Sequence, residues 1–324
     1  MNILVCGGAG YIGCHMVRLL RARGYAVTVL DNLSTGHRQA VAGCELLQVD
    51  VRDTQALAQA FAGRRFDAVM HFCGKISVGE SVEQPYEYYA NNVTGTLNLL
   101  QTMRAHGVGR LVFSSTAAVY GQPQQDRITE DHPQAPINPY GVSKWLVERM
   151  LQDAVTAYGL DSVSLRYFNV AGASPLGGIG ESHEPETHLI PNLLKAARGG
   201  DDGVQVYGDD YATPDGTCIR DYIHVDDLAE AHLLALDYLG RNPGAHAFNL
   251  GNGNGFSVLQ VIEAARQVTG RPIPYRVAPR RAGDSPMLVA DSGKARRELG
   301  WQPRYTDIGA IIETAWRWHC NQAF

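Results

Sequence analysis

The chain has 324 residues, of which 45% are hydrophobic and 19% are charged. These are ordinary values for a globular protein and exclude a disordered or fibrous chain. The formal net charge of −5 provides no broad basic field, so we expect neither nucleic acid nor an anionic membrane as a partner. The six cysteines are scattered without a CxxC pair, no metal-ligand spacing is present, and no apolar run is long enough to span a membrane. The sequence predicts a cytoplasmic protein without a metal site.

Apolar runs about as long as a β-strand alternate with segments of helical periodicity in the first half of the chain. The runs are residues 3–5, 27–30, 46–49, 68–70 and 111–113, and the helical segments include 12–23 and 85–106. Strands that alternate with helices and are apolar on both faces are typical of βαβ units. The sequence therefore predicts an α/β fold with a Rossmann-like, doubly wound parallel sheet.

A longer helix is predicted over Pro139–Tyr158. Asn138 is suited to its N-cap, Pro139 to its first turn and Gly159 to its end. A sixth strand is predicted to follow at 163–168.

The pattern changes near residue 170. A loop rich in Gly, Pro and Ser occupies 171–191. Short helices are then predicted at 189–198, 226–239, 257–269 and 292–299. We expect two domains: 1–170, to which parts of the later chain return, and a smaller α+β domain formed mainly by 171–324.

Three glycines follow the first strand and open the first helix. Gly7, Gly10 and Gly13 allow a sharp turn in which a pyrophosphate can approach the backbone at a helix N-terminus. Asp31 ends the second strand, at the spacing expected of a carboxylate that accepts from both ribose hydroxyls of an adenosine. A carboxylate at this position would repel a 2′-phosphate, so the sequence favours NAD over NADP.

A candidate proton-transfer group lies downstream of the glycine turn. Tyr140 and Lys144 are four residues apart on the predicted helix and therefore project from one face. A nearby ammonium group and a nicotinamide cation would favour the phenolate that a base requires. Thr116 follows the fifth strand and supplies a hydroxyl that could bridge the substrate oxygen and the phenol.

The glycine spacing GxxGxxG, together with Asp31 and the Thr116, Tyr140 and Lys144 set, resembles the extended short-chain dehydrogenase/reductase family. The resemblance implies NAD as the cofactor. The cofactor-binding residues that it implies are Gly7, Gly10, Tyr11, Ile12, Gly13, Asp31, Asn32, Ser34, Thr35, Gly36, Asp50, Val51, Phe72, Cys73, Gly74, Asn91, Tyr140, Lys144 and Phe168.

Longer runs are similar to those of one branch of this family, the 4-epimerases that act on UDP-sugars. The runs are residues 71–74, 78–82, 88–93, 166–169, 215–225 and 280–284. The resemblance implies interconversion of UDP-galactose and UDP-glucose by oxidation at C4, rotation of the 4-keto sugar and return of the hydride, with Tyr140 as the base. The substrate-binding residues that it implies are Thr116, Asn169, Leu189, Gln205, Val206, Tyr207, Arg220, Arg281 and Asp284. It also implies a homodimer formed through the helices 85–106 and Pro139–Tyr158.

The chain departs from the branch's familiar pattern at three places. A cofactor-contacting lysine is expected where Ile76 stands, and Lys75 lies one position earlier. Thr187 and His188 replace a familiar Asn-Asn pair. Leu288 stands where the branch carries either a bulky tyrosine or a smaller residue, which leaves the use of UDP-N-acetylhexosamines or other UDP-sugars open.

Two other functions remain as alternatives. A nucleotide-sugar 4,6-dehydratase or a uronate decarboxylase of the same fold places an acidic residue directly after the active-site Thr or Ser, whereas Ala117 and Ala118 follow Thr116 here. An NAD-sensing protein would not need the complete Thr116, Tyr140 and Lys144 set. The sequence therefore favours the epimerase.

Overall fold

Six strands from the first part of the chain and one later strand form one sheet in the computed structural model, which describes residues 1–200, 203–281 and 284–324. Its seven strands are β1 (Asn2–Cys6), β2 (Ala26–Asp31), β3 (Glu45–Gln48), β4 (Ala68–His71), β5 (Arg110–Ser114), β6 (Asp161–Tyr167) and β7 (Ala245–Leu250). Their order is β7-β6-β5-β4-β1-β2-β3, and the pairings from β6 to β3 are parallel. The predicted Rossmann-like sheet is confirmed. Its strand order reverses between β1 and β4, where the carboxyl ends of the strands open a crevice suited to a dinucleotide.

Six helices follow the strands of this sheet. They are α1 (Tyr11–Ala22), α2 (Thr54–Phe61), α3 (Val78–Glu83), α4 (Pro85–Tyr88), α5 (Gly95–Ala105) and α6 (Pro139–Tyr158). Side chains from the strands, α2, α5 and α6 share one buried core, in which Leu4, Leu57 and Leu111 are fully buried. The strands of the sheet are therefore mostly apolar, as their runs predicted.

The chain divides into two compact units that interleave along the sequence. The first unit comprises 1–121, 133–166 and 229–248, and the second comprises 122–132, 167–228 and 249–324. The later chain thus returns to the first unit at 229–248, and an early segment, 122–132, belongs to the second. The binding roles expected of the two domains stay predictions.

In its described residues, the second unit contains three further helices, the first turn of a fourth, and several two- or three-stranded sheets. The helices are α7 (Leu189–Ala197), α8 (Val225–Leu239, of which 229–239 belong to the first unit), α9 (Val258–Thr269) and α10 (Ile308–Cys320). The strands are Asn169–Ala171, Val204–Tyr207, Ile219–Arg220, Tyr222–His224, Phe256–Ser257, Tyr275–Ala278 and Met287–Leu288. Helices α7, α9 and α10 pack around one apolar core.

Most predicted helix ends agree with the structure to within one or two residues. Helix α6 has the predicted bounds: the Asn138 side chain accepts from Gly141 N, and Gly159 ends it with φ 67°. Ser257 and Gln260 form a capping box on α9. None of the helices in the described part of the chain is both long and apolar enough to cross a membrane.

The segment 85–106 differs from its prediction as one regular helix. Between α4 and α5 the residues Tyr89–Thr94 form a π-helical turn. A π turn inserts one extra residue, which rotates the side chains that follow, and such turns are frequent at functional sites. Asn91 and Asn92 lie in it and are both buried.

Candidate active site

The glycine turn after β1 is held by close backbone contacts. Gly7 has φ +76°, and a Cβ on it would lie 2.5 Å from Cys73 N at the end of β4. A Cβ on Gly13 would lie 2.1 Å from Gly7 O, whereas the nearest atom to a Cβ on Gly10 is 3.5 Å away. Gly7 and Gly13 therefore let the turn, α1 and β4 approach one another, and the backbone at Gly10 remains accessible.

Helix α1 begins at this turn without a side-chain cap. Gly10 is its N-cap, and its first turn carries no acidic residue. The first amides of a helix need acceptors, and the helix dipole makes them a good binding site for a phosphate. This end of α1 fits the pyrophosphate that the sequence predicts.

We expect Gly13→Ala to weaken NAD binding by about tenfold or more. The added methyl group would displace Gly7 O and so distort the turn. Isothermal titration of cofactor-stripped protein with NAD measures the change. Gly109→Ala is the matched control, because its methyl group would meet nothing within 4 Å. Unchanged affinity in Gly13→Ala would contradict the proposed role of the turn.

Asp31 joins the ends of β1 and β2. Its Oδ2 accepts from Ala9 N at 2.9 Å and its Oδ1 from Leu33 N at 2.8 Å. Burial raises the pKa of Asp31, and the hydrogen bonds from Leu33 and Ala9 oppose that shift. Each carboxylate oxygen keeps a second lone pair, so hydroxyl groups of a ribose can still donate to it.

The other predicted cofactor residues of the first unit lie in the segments that follow successive strands of the sheet. They are Tyr11 and Ile12 after β1; Asn32, Ser34, Thr35 and Gly36 after β2; Asp50 and Val51 after β3; Phe72, Cys73 and Gly74 after β4; and Asn91 in the π turn. Asn32 Nδ2 donates to Asp50 Oδ2 at 2.9 Å, and a Cβ on Gly36 would lie 2.9 Å from the carbonyl carbon of Ala9. Hydrogen bonds from Arg52 lower the pKa of Asp50 despite its partial burial. Phe168 belongs to the second unit.

Tyr140 and Thr116 lie together in the first unit. Tyr140 is in the first turn of α6 and Thr116 follows β5, and each is less than one-tenth exposed. Burial raises the pKa of Tyr140, and a hydrogen bond with Thr116 opposes that rise. The net shift of the Tyr140 pKa is upward, because burial outweighs that hydrogen bond. The lowering of the phenol pKa by Lys144 together with a nicotinamide cation stays a prediction.

Lys144 is directed toward the ends of β4 and β5. Its Nζ donates to Ser114 O at 2.8 Å, and a Cβ on Gly74 would lie 2.7 Å from that nitrogen. Burial lowers the pKa of Lys144 to about 8, although Cys73 and Glu148 oppose the shift. Lys144 therefore remains mostly protonated at neutral pH and places a positive charge in the crevice.

Sequence reasoning missed the amide network that connects the π turn to α6. Asn92 Oδ1 accepts from Lys75 N at 2.8 Å, and Asn92 Nδ2 donates to Ser143 Oγ at 3.0 Å. Ser143 Oγ donates to Tyr140 O at 2.7 Å. The only signal in the sequence was the adjacent pair Asn91 and Asn92, because the partners are distant along the chain.

Lys75, one of the departures from the family pattern, is held by an ion pair. Its Nζ lies 2.9 Å from Glu80 Oε1, and Tyr88 donates to Glu80 Oε2 at 2.8 Å. The Lys75 ammonium also lies 5.6 Å from the centre of the Tyr88 ring. Hydrogen bonds from Lys75 and Tyr88 lower the pKa of Glu80.

Four predicted substrate residues of the second unit form one cluster. Arg220 lies 3.3 Å from Asp284 Oδ1, and Arg281 lies 3.1 Å from Asp284 Oδ2. The Arg281 guanidinium also covers the Tyr207 ring at 4.7 Å. Two guanidinium groups and the Tyr207 ring thus lie together, where a diphosphate and a nucleobase could bind. Ala282 and Gly283, which complete the 280–284 run, lie outside the described residues.

The remaining predicted substrate residues of the second unit lie on nearby elements. Asn169 donates through Nδ2 to Asp221 O at 3.1 Å, and Leu189 is the first residue of α7. Gln205 and Val206 lie in the strand Val204–Tyr207, which pairs with Tyr275–Ala278. The Val206 side chain is buried in the core, so only its backbone could contact a nucleobase such as uracil.

A sequence profile of the NAD dependent epimerase/dehydratase family matches residues 3–251. This chain belongs to that family. The UDP-glucose 4-epimerase of Lacticaseibacillus casei is 53% identical over 322 residues, which are 99% of this chain and 97% of that protein. The resemblance to the 4-epimerase branch is therefore confirmed.

Solved structures of family members agree over nearly the whole chain. The crystal structure of the Brucella ovis UDP-glucose 4-epimerase with NAD is similar at a TM-score of 0.95 and 49% identity, over 98% of this chain and 97% of that one. The Bifidobacterium longum enzyme in complex with NAD+ and UDP is similar at a TM-score of 0.95 and 41% identity, over 99% of both chains. Together with the uncapped end of α1 and the contact that only a glycine at position 7 permits, these matches support NAD as the cofactor.

Proposed function

We propose that this chain is an isomerase that interconverts UDP-galactose and UDP-glucose with a tightly held NAD. The observation that carries the proposal is the group formed by Tyr140, Thr116 and Lys144 beside the glycine turn of a Rossmann-like sheet. The family relatives named UDP-glucose 4-epimerase match the chain from end to end. NAD, when bound, supplies the hydride acceptor at C4 and a positive charge beside the phenol.

Tyr140 acts as the general base in this proposal. Because burial raises the pKa of its phenol, the base form requires positive charge nearby. The Lys144 ammonium supplies part of that charge, and we assign it the further role of binding the nicotinamide ribose. Thr116 orients the substrate hydroxyl between itself and the phenol.

The second unit anchors the nucleotide in this proposal. Arg220 and Arg281 provide guanidinium donors for the diphosphate, which bind phosphate oxygens in charge-assisted pairs. Asp284 is assigned to the uridine ribose, and Tyr207 with its strand to the uracil. Firm binding of the UDP part and loose binding of the sugar would allow the 4-keto sugar to turn and present its other face.

The residues after Thr116 favour epimerisation over dehydration. Ala117 is buried and Ala118 is partly buried, and neither carries a group that can transfer a proton. Elimination of water needs such a group beside C5 and C6 of the sugar.

We also propose that the protein is a cytoplasmic homodimer. Tyr86 and Leu97, on the helical segment expected to form the dimer contact, are 86% and 40% exposed. Tyr158, at the end of α6, is 59% exposed. All six cysteines lie in the described ranges as free thiols, which suits a reducing compartment. Sedimentation analysis that gives twice the chain mass would support the dimer, and a monomer would contradict it.

The activity is tested by incubating the purified protein with UDP-galactose and no added NAD, followed by chromatographic identification of the sugar nucleotides. We expect UDP-glucose to form until equilibrium is reached. A product that has lost water would indicate a dehydratase, and no conversion by protein that retains NAD would indicate a sensor. A parallel reaction with UDP-N-acetylglucosamine tests whether Leu288 admits the larger sugar.

A further inference from the structure

A loop of the second unit gathers two histidines and two glutamates that the proposed reaction does not use. The residues are Glu181, His183, Glu186 and His188, here called the 181–188 cluster. Each contributes one ligand atom, and these atoms all lie within 4.8 Å of one another. The sequence predicts no metal site here, because the E-x-H-x-x-E-x-H spacing of the cluster is neither a helical nor a zinc-finger pattern.

The histidine nitrogens and glutamate oxygens of the cluster alternate around a four-membered ring of contacts. His188 Nδ1 lies 2.7 Å from Glu181 Oε1 and 3.2 Å from Glu186 Oε1. His183 Nδ1 lies 3.3 Å from Glu181 Oε1 and 3.9 Å from Glu186 Oε2. The Nδ1 atom of each histidine therefore lies close to both carboxylates. A single histidine–glutamate ion pair would bring together only one imidazole and one carboxylate.

Glu181 provides the second observation that points to a cation. Its side chain is only 5% exposed, and its buried Oε1 has no hydrogen-bond partner of acceptable geometry despite the short distances to two imidazoles. A buried carboxylate oxygen without such a partner is costly unless a cation compensates it. The His188 side chain is 44% exposed, which leaves a route by which an ion can enter.

The surrounding structure holds the two carboxylates in place. Glu186 Oε1 accepts from the backbone amides of Thr187 and His188, each at 2.8 Å. Trp318 of α10 donates through Nε1 to Glu181 O at 2.7 Å. Outer hydrogen bonds of this kind orient metal ligands and support their affinity.

We propose that Glu181, His183, Glu186 and His188 bind one Zn²⁺ ion. Zn²⁺ binds imidazole nitrogen and carboxylate oxygen at about 2.1 Å in tetrahedral geometry, which places neighbouring ligand atoms about 3.4 Å apart. The four nitrogen–oxygen distances of the ring, from 2.7 to 3.9 Å, bracket that value. Four protein ligands leave no open position, so the ion is structural rather than catalytic.

The ion would fix the loop that leads into α7. His188 is the N-cap of that helix, and Leu189 is its first residue. A zinc ion would therefore tie the start of α7 to Glu181 and, through the Trp318 hydrogen bond, to α10. The proposal concerns this loop alone and does not depend on the reaction assigned to the first unit.

Without a metal, the same residues would form a charged pair. Burial opposes the charge on Glu181, but attraction to His183 and His188 outweighs it and lowers the pKa of Glu181 to about 2. Burial likewise opposes the charge on His188, but Glu181 and Glu186 outweigh it and raise the pKa of His188 to about 10. The experiment must therefore distinguish a bound metal ion from a protonated imidazole.

The test uses the full chain without an affinity tag, stripped with EDTA and titrated with Co²⁺ as a spectroscopic substitute for Zn²⁺. We expect one equivalent of Co²⁺ to produce the strong visible d–d bands of four-coordinate cobalt, and one equivalent of Zn²⁺ to abolish them. We also expect Zn²⁺ to raise Tm by about 3 °C or more, and EDTA to reverse the rise. Weak octahedral bands, or no saturation at one equivalent, would overturn the proposal.

A ligand exchange identifies the residues involved. His188→Cys replaces an imidazole with a thiolate and is expected to add a near-ultraviolet sulfur-to-cobalt charge-transfer band. His106→Cys, on an exposed histidine of the first unit, is the matched control and should add none. Glu181→Gln should weaken Zn²⁺ binding at least about tenfold while leaving NAD binding unchanged. The proposal is wrong if His188→Cys gives the same spectrum as His106→Cys.

Discussion

Replacement of Tyr140 by phenylalanine is expected to lower kcat about 10³-fold and to leave the binding of NAD and UDP unchanged. The substitution removes only the phenolic oxygen from a buried ring, so the first turn of α6 keeps its packing against Tyr88, whose ring lies 6.5 Å away. Without that oxygen, the group proposed to accept the proton of the sugar hydroxyl is missing. Steady-state kinetics with UDP-galactose measures the loss.

Tyr158→Phe is the matched control for this substitution. Tyr158 ends the same helix and is 59% exposed, and its contact with the Arg104 guanidinium uses the ring face rather than the hydroxyl. The control should therefore retain full activity. If Tyr140→Phe kept its activity to within tenfold while binding NAD normally, another group would have to be the base.

The second large effect is expected on stability: Arg166→Met should lower the free energy of unfolding by about 3–5 kcal/mol. Arg166 forms a forked ion pair with Glu148 in which both side chains are at most 5% exposed. The Arg166 guanidinium also donates to Tyr120 Oη at 2.8 Å. Removing it leaves a buried carboxylate without its countercharge, which is the main source of the cost. Guanidinium chloride denaturation measures the change.

An exposed ion pair on α6, the helix that carries Glu148, gives the control. Arg149 and Asp153 are each 62% exposed, so Arg149→Met should cost no more than about 0.5 kcal/mol. The double variant Arg166→Met with Glu148→Leu should recover part of the lost stability, because it removes the uncompensated charge. Equal effects of Arg166→Met and Arg149→Met would contradict this account.

The Arg166–Glu148 ion pair also contacts residues next to the candidate active site. Ser115 donates to Glu148 Oε1, and Ser115 immediately precedes Thr116. Glu148 lies one turn after Lys144 on α6. The buried pair therefore links the end of β5 to the helix that carries the base, and we expect kcat of Arg166→Met to fall more than that of Arg149→Met.

Much of the first unit could be predicted from local sequence patterns. The apolar runs marked β1 to β5 because a strand buried on both faces needs apolar side chains throughout. Asn138, Pro139 and Gly159 marked both ends of α6 because capping depends on residues next to one another. The glycine turn could be recognised for the same reason, since its tight backbone conformation is a local property.

The sequence alone determined the α/β class, the dinucleotide turn, Asp31 and the spacing of Tyr140 and Lys144, because each depends on neighbouring residues or on one helix face. Only the tertiary structure decided the π turn that buries Asn91 and Asn92, the pairing of Arg166 with Glu148, and the meeting of Arg220, Arg281 and Asp284. It also decided the 181–188 cluster, whose ligands a regular helix or strand would not bring together. The physical reason is that burial and the contacts between distant residues set these charges and distances, and neither can be deduced from separation along the chain.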